Sequence, residues 1–226
     1  MVTLRRLTAI ILCFAFLCVP VKAREDTPVV ALTFDDGPSG EITHQLLQGL
    51  EKRQVKATFL LCGYRLKEFP QTGQAIYDGG HEIGLHGYSH RTMENMSQAE
   101  VAKELSDTLA LLPEGCAPVF FRPPGGVTTK AVKAAAKEAG LSLLYWSVDP
   151  KDWKTHNAAA IEQTVMSSVG DGDIILLHDM CSCSVSAALA IVDDLLAQGY
   201  RFVTVSQLAQ LRSTEPKPGL VYSRFR

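Results

Sequence analysis

Short apolar runs alternate with segments of helical period from residue 29 to residue 205, and this alternation restricts the fold more than any other feature of the chain. Residues 29–34 read as a strand. They precede a helical segment over 40–54, in which Ile42, Leu46, Leu47 and Leu50 fall on one face. Residues 57–61 read as the second strand, 66–78 as one helix stopped by Gly79 and Gly80, and 81–85 as the third strand. Ser97 with Glu100 forms a capping box for a helix that runs to Leu112, ahead of Pro113. Residues 119–121, 141–146, 174–177 and 202–205 read as further strands. Helices over 128–139, 157–169 and 185–198 separate them. The proline-containing basic stretch 213–226 reads as a loosely ordered tail.

Seven strands alternating with helices predict a parallel sheet covered by helices. An open doubly wound sheet and a closed barrel fit that alternation equally well. The polar residues favour the barrel, because they fall just after strand ends: Asp35 and Asp36, His86, Arg122, Asp149 and Asp152, and His178. In a barrel these ends converge on one mouth, whereas an open sheet spreads them apart.

The first residues read as a secretory leader. Arg5 and Arg6 precede the apolar stretch 7–18, and Val21-Lys22-Ala23 offers small residues for cleavage. The apolar stretch is short for a membrane span, though an uncleaved N-terminal anchor is the alternative. Cleavage after Ala23 leaves 203 of the 226 residues, enough for a single domain with a full core. It removes Arg5, Arg6 and Lys22 and no acid, so the formal net charge moves from −2 to −5. That balance is a poor match for nucleic acid or anionic lipid. Four cysteines remain, Cys62, Cys116, Cys181 and Cys183, and three pairings are open to them. Their spacing is not that of a disulfide scaffold, and Cys181 and Cys183 lack a second cysteine pair for a metal site. They are read as idle or buried thiols.

The chemistry concentrates in Thr33-Phe34-Asp35-Asp36-Gly37-Pro38. Neighbouring strand side chains point to opposite faces, so two adjacent carboxylates share a site only if the Gly-Pro turn breaks the alternation. Two like charges held close then call for a cation, with one carboxylate as its ligand and the other free for proton transfer. His86 and His90, four residues apart in His86-Gly87-Tyr88-Ser89-His90, complete a two-histidine, one-carboxylate set with Asp36. Zinc suits these ligands; cobalt, nickel and ferrous iron also fit them. Arg122, in Phe121-Arg122-Pro123-Pro124-Gly125-Gly126, can grip a carboxylate in bidentate fashion. Asp149-Pro150-Lys151-Asp152-Trp153 and Leu176-Leu177-His178 add acids, an indole and a third imidazole. His44, His81 and His156 have no such company.

These five motifs, in this order, resemble the polysaccharide deacetylases of the NodB homology type, carbohydrate esterase family four. The resemblance covers residues 28–212. It implies a distorted (β/α)7 barrel, an α/β fold of TIM-barrel type, and a hydrolase that removes N-acetyl groups from amino sugars. By that resemblance Asp35 is the general base, Asp36, His86 and His90 bind one divalent metal, and Arg122 supports the base. Asp152 tunes His178, the general acid. Trp153 and Leu176 line an acetyl pocket, and the Gly125 N–H faces an oxyanion. Two positions depart from the family pattern. Gly87 stands where a hydroxyl residue braces the metal loop, and Gly125 where an aromatic residue walls the sugar groove. The expected partner is an acetylated amino-sugar polysaccharide, with peptidoglycan ahead of chitin-type oligomers. A monomer without an obligate protein partner, secreted or cell-wall associated, fits this reading. The competing functions are an O-acetyl (xylan) esterase and a glycan-binding protein with an inactive site.

Overall fold

The structure, a computed structural model, describes residues 27–226. The expected leader at 1–23 lies outside the described residues. The elements in order are β1 (Val29–Asp35), α1 (Glu41–Lys52), β2 (Thr58–Leu61), α2 (Gly63–Glu68), α3 (Pro70–Asp78), β3 (Glu82–Leu85), α4 (Gln98–Leu109), β4 (Phe120–Phe121), α5 (Lys130–Glu138), β5 (Ser142–Leu144), α6 (Ala158–Met166), β6 (Ile174–His178), α7 (Ser182–Ala197), β7 (Arg201–Phe202), α8 (Val205–Leu211) and β8 (Val221–Tyr222).

The strands pair in the order β6-β1-β2-β3-β4-β5-β8, every neighbouring pair parallel. Val148, beyond β5, bridges Ile175 of β6, and Arg224, beyond β8, bridges Asp173 just before β6, so the path closes on itself. The ring is distorted. β7 takes only Val29 and Val30 of β1, short of the residues Thr33–Asp35 that pair with β2. The result is the distorted (β/α)7 barrel expected from the strand-end polar residues, in one domain.

All seven residues of β1 are buried, as a parallel strand covered on both faces requires. Its two faces differ in company. Val30, Leu32 and Phe34 pack in the large cluster with Leu46 and Leu50 of α1 and Val185, Ala188 and Ile191 of α7. Val29 and Ala31 instead join Leu60, Phe120, Leu144 and Ile174 in the barrel interior. Strand alternation therefore assigns Thr33 and Asp35 to the interior face, with Asp35 at the end of the strand.

Four sequence expectations are corrected. The helix expected over 66–78 is two helices, α2 and α3, broken at Phe69. Pro70 opens the second at a position where its missing N–H costs nothing. The strand expected over 202–205 stops at Phe202. Thr204 caps α8, whose Val205, Leu208 and Ala209 pack into the interior cluster. The stretch 213–226 is not loose. Val221–Tyr222 pairs with β5, and Phe225, 3 % exposed, fills the same cluster. Its burial offsets the entropy of ordering the segment. Lastly, Cys181 and Cys183 form a disulfide, their Cα atoms 5.4 Å apart. Among the described residues Cys62 and Cys116 are unpaired; Cys62 is buried and fits the idle-thiol reading.

Candidate active site

Asp35 ends β1 on the interior face, and Asp36 follows with φ 73. That left-handed residue, in the region Asp tolerates better than most, breaks the strand alternation. The turn thus begins at Asp36 itself, one residue before the Gly-Pro pair credited from sequence.

Asp36 Oδ1 lies 3.2 Å from His86 Nε2 and 3.0 Å from His90 Nε2. His86 sits 2.6 Å through its Nδ1 from the Arg122 carbonyl oxygen. A carbonyl only accepts, so that nitrogen carries a proton, and Nε2 is the ring nitrogen left to face Oδ1. Oδ1 is buried and has no hydrogen-bond partner among the described residues. One carboxylate oxygen and two imidazole nitrogens converging at this range fit a shared cation. The three donor atoms all lie within 4.8 Å of one another, a spread one divalent ion can span. Burial by itself raises the Asp36 carboxyl. The His86 and His90 imidazoles outweigh it and hold the group far below the usual carboxylate range. The partnership raises the His90 imidazole in turn.

The loop between these histidines is held by a residue the sequence reading missed. Glu104 of α4, only 8 % exposed, accepts the N–H groups of Tyr88 (2.8 Å) and Ser89 (2.7 Å) and the Ser89 hydroxyl (2.7 Å). A brace was in question at Gly87, which lacks a hydroxyl. Gly87 has φ 79, and a Cβ there would meet Met93 Cε at 2.9 Å and Glu104 Oε2 at 3.4 Å. The brace therefore comes from Glu104. A signal did exist: Glu104 is an acid on the buried face of α4 formed by Val101, Leu105 and Thr108.

Arg122 is fully buried at the end of β4. Its Nη1 donates to Asp35 Oδ1 at 2.5 Å and to Thr33 Oγ1 at 3.0 Å. Its Nη2 and Nε donate to the carbonyls of Tyr145 (2.9 Å) and Leu144 (3.3 Å). The expected bidentate grip is therefore a single-nitrogen contact, because the other guanidinium nitrogens are committed to the end of β5. That anchorage fixes the charge beside Asp35.

His178 ends β6. Its Nδ1 lies 2.7 Å from Asp152 Oδ1, and its backbone N–H donates to Asp152 Oδ2 at 2.8 Å. Burial lowers the affinity of the ring for a proton. The Asp152 hydrogen bond and the charges of Asp35, Asp152 and Asp36 overcome this and raise it to about 9. With Nδ1 engaged, Nε2 is the ring nitrogen left for chemistry.

A cavity of about 420 Å³ joins these groups, with Asp35, Asp36, His86, His90 and His178 in its wall. Gly125, Trp153 and Leu176 line it too; Arg122 and Asp152 stand behind and do not. Trp153 is 59 % exposed, so it forms the rim, whereas Leu176 at 4 % belongs to the wall. Gly125 has φ 65, and an added Cβ there would meet no described atom within 4 Å, which leaves that side open. The aromatic missing there has a counterpart in Trp146, which also lines the cavity, stacks on Tyr145 at 5.6 Å and lies 5.5 Å from the Arg122 guanidinium. The strand expected over 141–146 is shorter than its apolar run and does not include Trp146. β5 stops at Leu144, and Trp146, two residues on and on the same face by alternation, stands half-buried in the cavity wall.

The sequence matches the model of the polysaccharide deacetylase family over residues 22–144. It is 37% identical to a peptidoglycan-N-acetylglucosamine deacetylase of Bacillus cereus, over 81% of this chain and 89% of that protein. It is 38% identical to the peptidoglycan-N-acetylmuramic acid deacetylase PdaC of Bacillus subtilis, over 81% of this chain. The chain spans only 39% of the length of PdaC. Among solved structures it resembles a family 4 acetyl xylan esterase from Clostridium thermocellum in complex with a cobalt ion. The TM-score is 0.80 at 34% identity, covering 87% of this chain and 98% of that one. The chain belongs to the polysaccharide deacetylase family.

Proposed function

We propose that this protein is a secreted or cell-wall-associated, metal-dependent hydrolase that removes N-acetyl groups from N-acetylglucosamine-containing glycans. Peptidoglycan is the favoured substrate, and chitin-type oligomers come next. The observation that carries the reading is the opposition of two anchored groups across one cavity, Asp35 held by buried Arg122 and His178 held by buried Asp152. The leader at 1–23 and the kinship with peptidoglycan deacetylases support export and the wall substrate.

Asp36, His86 and His90 would hold the ion, zinc by our reading with cobalt or nickel as substitutes, which when bound polarises the acetyl carbonyl and acidifies water. Asp35 takes the proton of the attacking water, and Arg122 holds the carboxylate in place for it. The Gly125 N–H faces the developing oxyanion; one such donor is commonly worth about 3 kcal/mol. An amine leaves an amide only with a proton, and His178, charged at neutral pH, supplies it from Nε2. Leu176 and the two tryptophans shape an apolar berth for the acetyl methyl and the sugar face.

The test is acetate release from purified peptidoglycan, chitin oligomers and acetylated xylan, with zinc restored after chelation. Release from none of the three would refute the proposal and favour a glycan-binding protein with an inactive site. A second reading, an O-acetyl esterase, draws on the likeness to the acetyl xylan esterase. Esters depart with less protonation, so His178→Ala would then spare most of the turnover.

A further inference from the structure

Three soft donors converge outside the active-site cavity, at the start of α7. Cys181 caps that helix and Cys183 stands in its first turn, their sulfurs joined. His156, from the segment between β5 and α6, brings Nδ1 to 3.8 Å from Cys183 Sγ. One donor atom from each of the three residues lies within 4.8 Å of the others, and none of the three lines the cavity around Asp36 and His178. His156 is exposed and both cysteines are partly exposed, so a reductant and an ion can reach them.

The bond is poorly suited to stapling the fold. It closes a loop with one residue between its ends, and so small a loop constrains the unfolded chain little. α7 is secured independently by Val185, Ala188, Ile191, Val192 and Leu195, all buried. The position suits thiolates instead. The start of a sixteen-residue helix favours negative charge, and the Ser184 N–H already points at Cys181 Sγ from 3.3 Å. Sulfurs bonded to each other are poor ligands. As two thiolates beside an imidazole they make a donor set for a tetrahedral ion with one position left open.

We propose that Cys181, Cys183 and His156 form a redox-gated site for a thiophilic d10 cation of the zinc type, closed while the disulfide stands and open once a dithiol has reduced it. The external dithiol gives two electrons and two protons to the S–S bond and leaves as its own disulfide. The two thiols release those protons when the cation binds. The site is independent of Asp36, His86 and His90, which offer no sulfur.

The test is a cadmium titration of the full chain, oxidised and after reduction with a phosphine, followed by the ultraviolet thiolate-to-metal charge-transfer band. Only sulfur ligands give this band, so an ion at the histidine–carboxylate set is silent. The reduced protein should gain the band at one equivalent, with unchanged helical circular dichroism. The oxidised protein and the C181S/C183S variant should not gain it. His156→Ala should weaken cadmium binding at least about tenfold. No band after reduction, an equal band in C181S/C183S, melting of the helix on reduction, or unweakened binding in His156→Ala would each overturn the proposal.

Discussion

Replacing Asp152 with Asn tests the acid half of the site most directly. The His178 ring binds its proton with a pKa raised from 6.5 to about 9, against a burial that works the other way. At about 1.4 kcal/mol per pH unit, that elevation represents roughly 3 kcal/mol of preference for the charged ring. Among the influences that raise it, the Asp152 hydrogen bond stands first, ahead of the charge of Asp35. Asn keeps one acceptor for Nδ1–H but removes the charge, and its amide nitrogen cannot accept the His178 backbone N–H. The upper limb of the kcat/KM profile for acetate release should therefore move from near 9 toward 6.5. At pH 8 a ring that titrates two units lower is about tenfold less protonated, so activity there should fall about tenfold more than at pH 6. Stability should move with it. A raised imidazole stabilises the fold fully below pH 6.5, and that contribution is lost as pH rises through about 9. The variant should show little of this alkaline loss in denaturant titrations. An upper limb still near 9 in Asp152→Asn would refute the assignment of His178 as the proton donor tuned by Asp152.

Asp35→Asn should abolish acetate release yet leave zinc binding by competition titration intact, while Asp36→Asn should cost both; turnover by the Asp35 variant would remove it as the base. Glu104→Ala strands the N–H groups of Tyr88 and Ser89, at about 1–3 kcal/mol each, and should weaken zinc binding about 10- to 100-fold. Glu104→Gln, whose one oxygen can serve both amides, should recover most of that affinity; equal affinities in all three proteins would deny Glu104 this role. His81 is buried, accepts the Ala57 N–H on Nδ1 at 3.1 Å, and has its pKa lowered to about 4, chiefly by burial. The unfolded ring takes up its proton first, so stability should fall by roughly 3 kcal/mol as pH drops from 6.5 to 4. His81→Asn, which keeps an acceptor in place, should flatten that acid slope; an unchanged slope would show that another group sets it.

The parts of this molecule legible in the sequence are those built on local periodicity. Helical spacing and strand alternation marked most of the framework, and the fall of Asp35, His86, Arg122 and His178 at strand ends disclosed the mouth. What escaped was specified by distant packing. α8 and β8 are short, and they exist because the barrel interior needs Leu208 and Phe225 to close it. Glu104 stands out in the sequence only as an acid on the buried face of α4, and its role appears when its two amide partners arrive from a loop fifteen and sixteen residues earlier. Trp146 reads as core because the apolar run does not show that β5 ends at Leu144, short of the cavity wall. The single-nitrogen Arg122 contact depended on carbonyls of another strand, which no motif records.

The strand at Val221–Tyr222 has a consequence for how the domain comes into being. β5 is flanked by β4 on one side and by β8 on the other, so its second row of backbone donors and acceptors stays bare until residues 220–222 have been made. The Leu143 N–H waits for the Leu220 carbonyl, and the Tyr145 N–H for that of Tyr222. A bare apolar edge invites pairing with another chain. A fragment ended at residue 212 would keep every residue of the candidate site and still be prone to aggregate. During synthesis the same edge stays exposed until residues 220–222 follow, so the barrel closes only after the residues of the candidate site have already emerged.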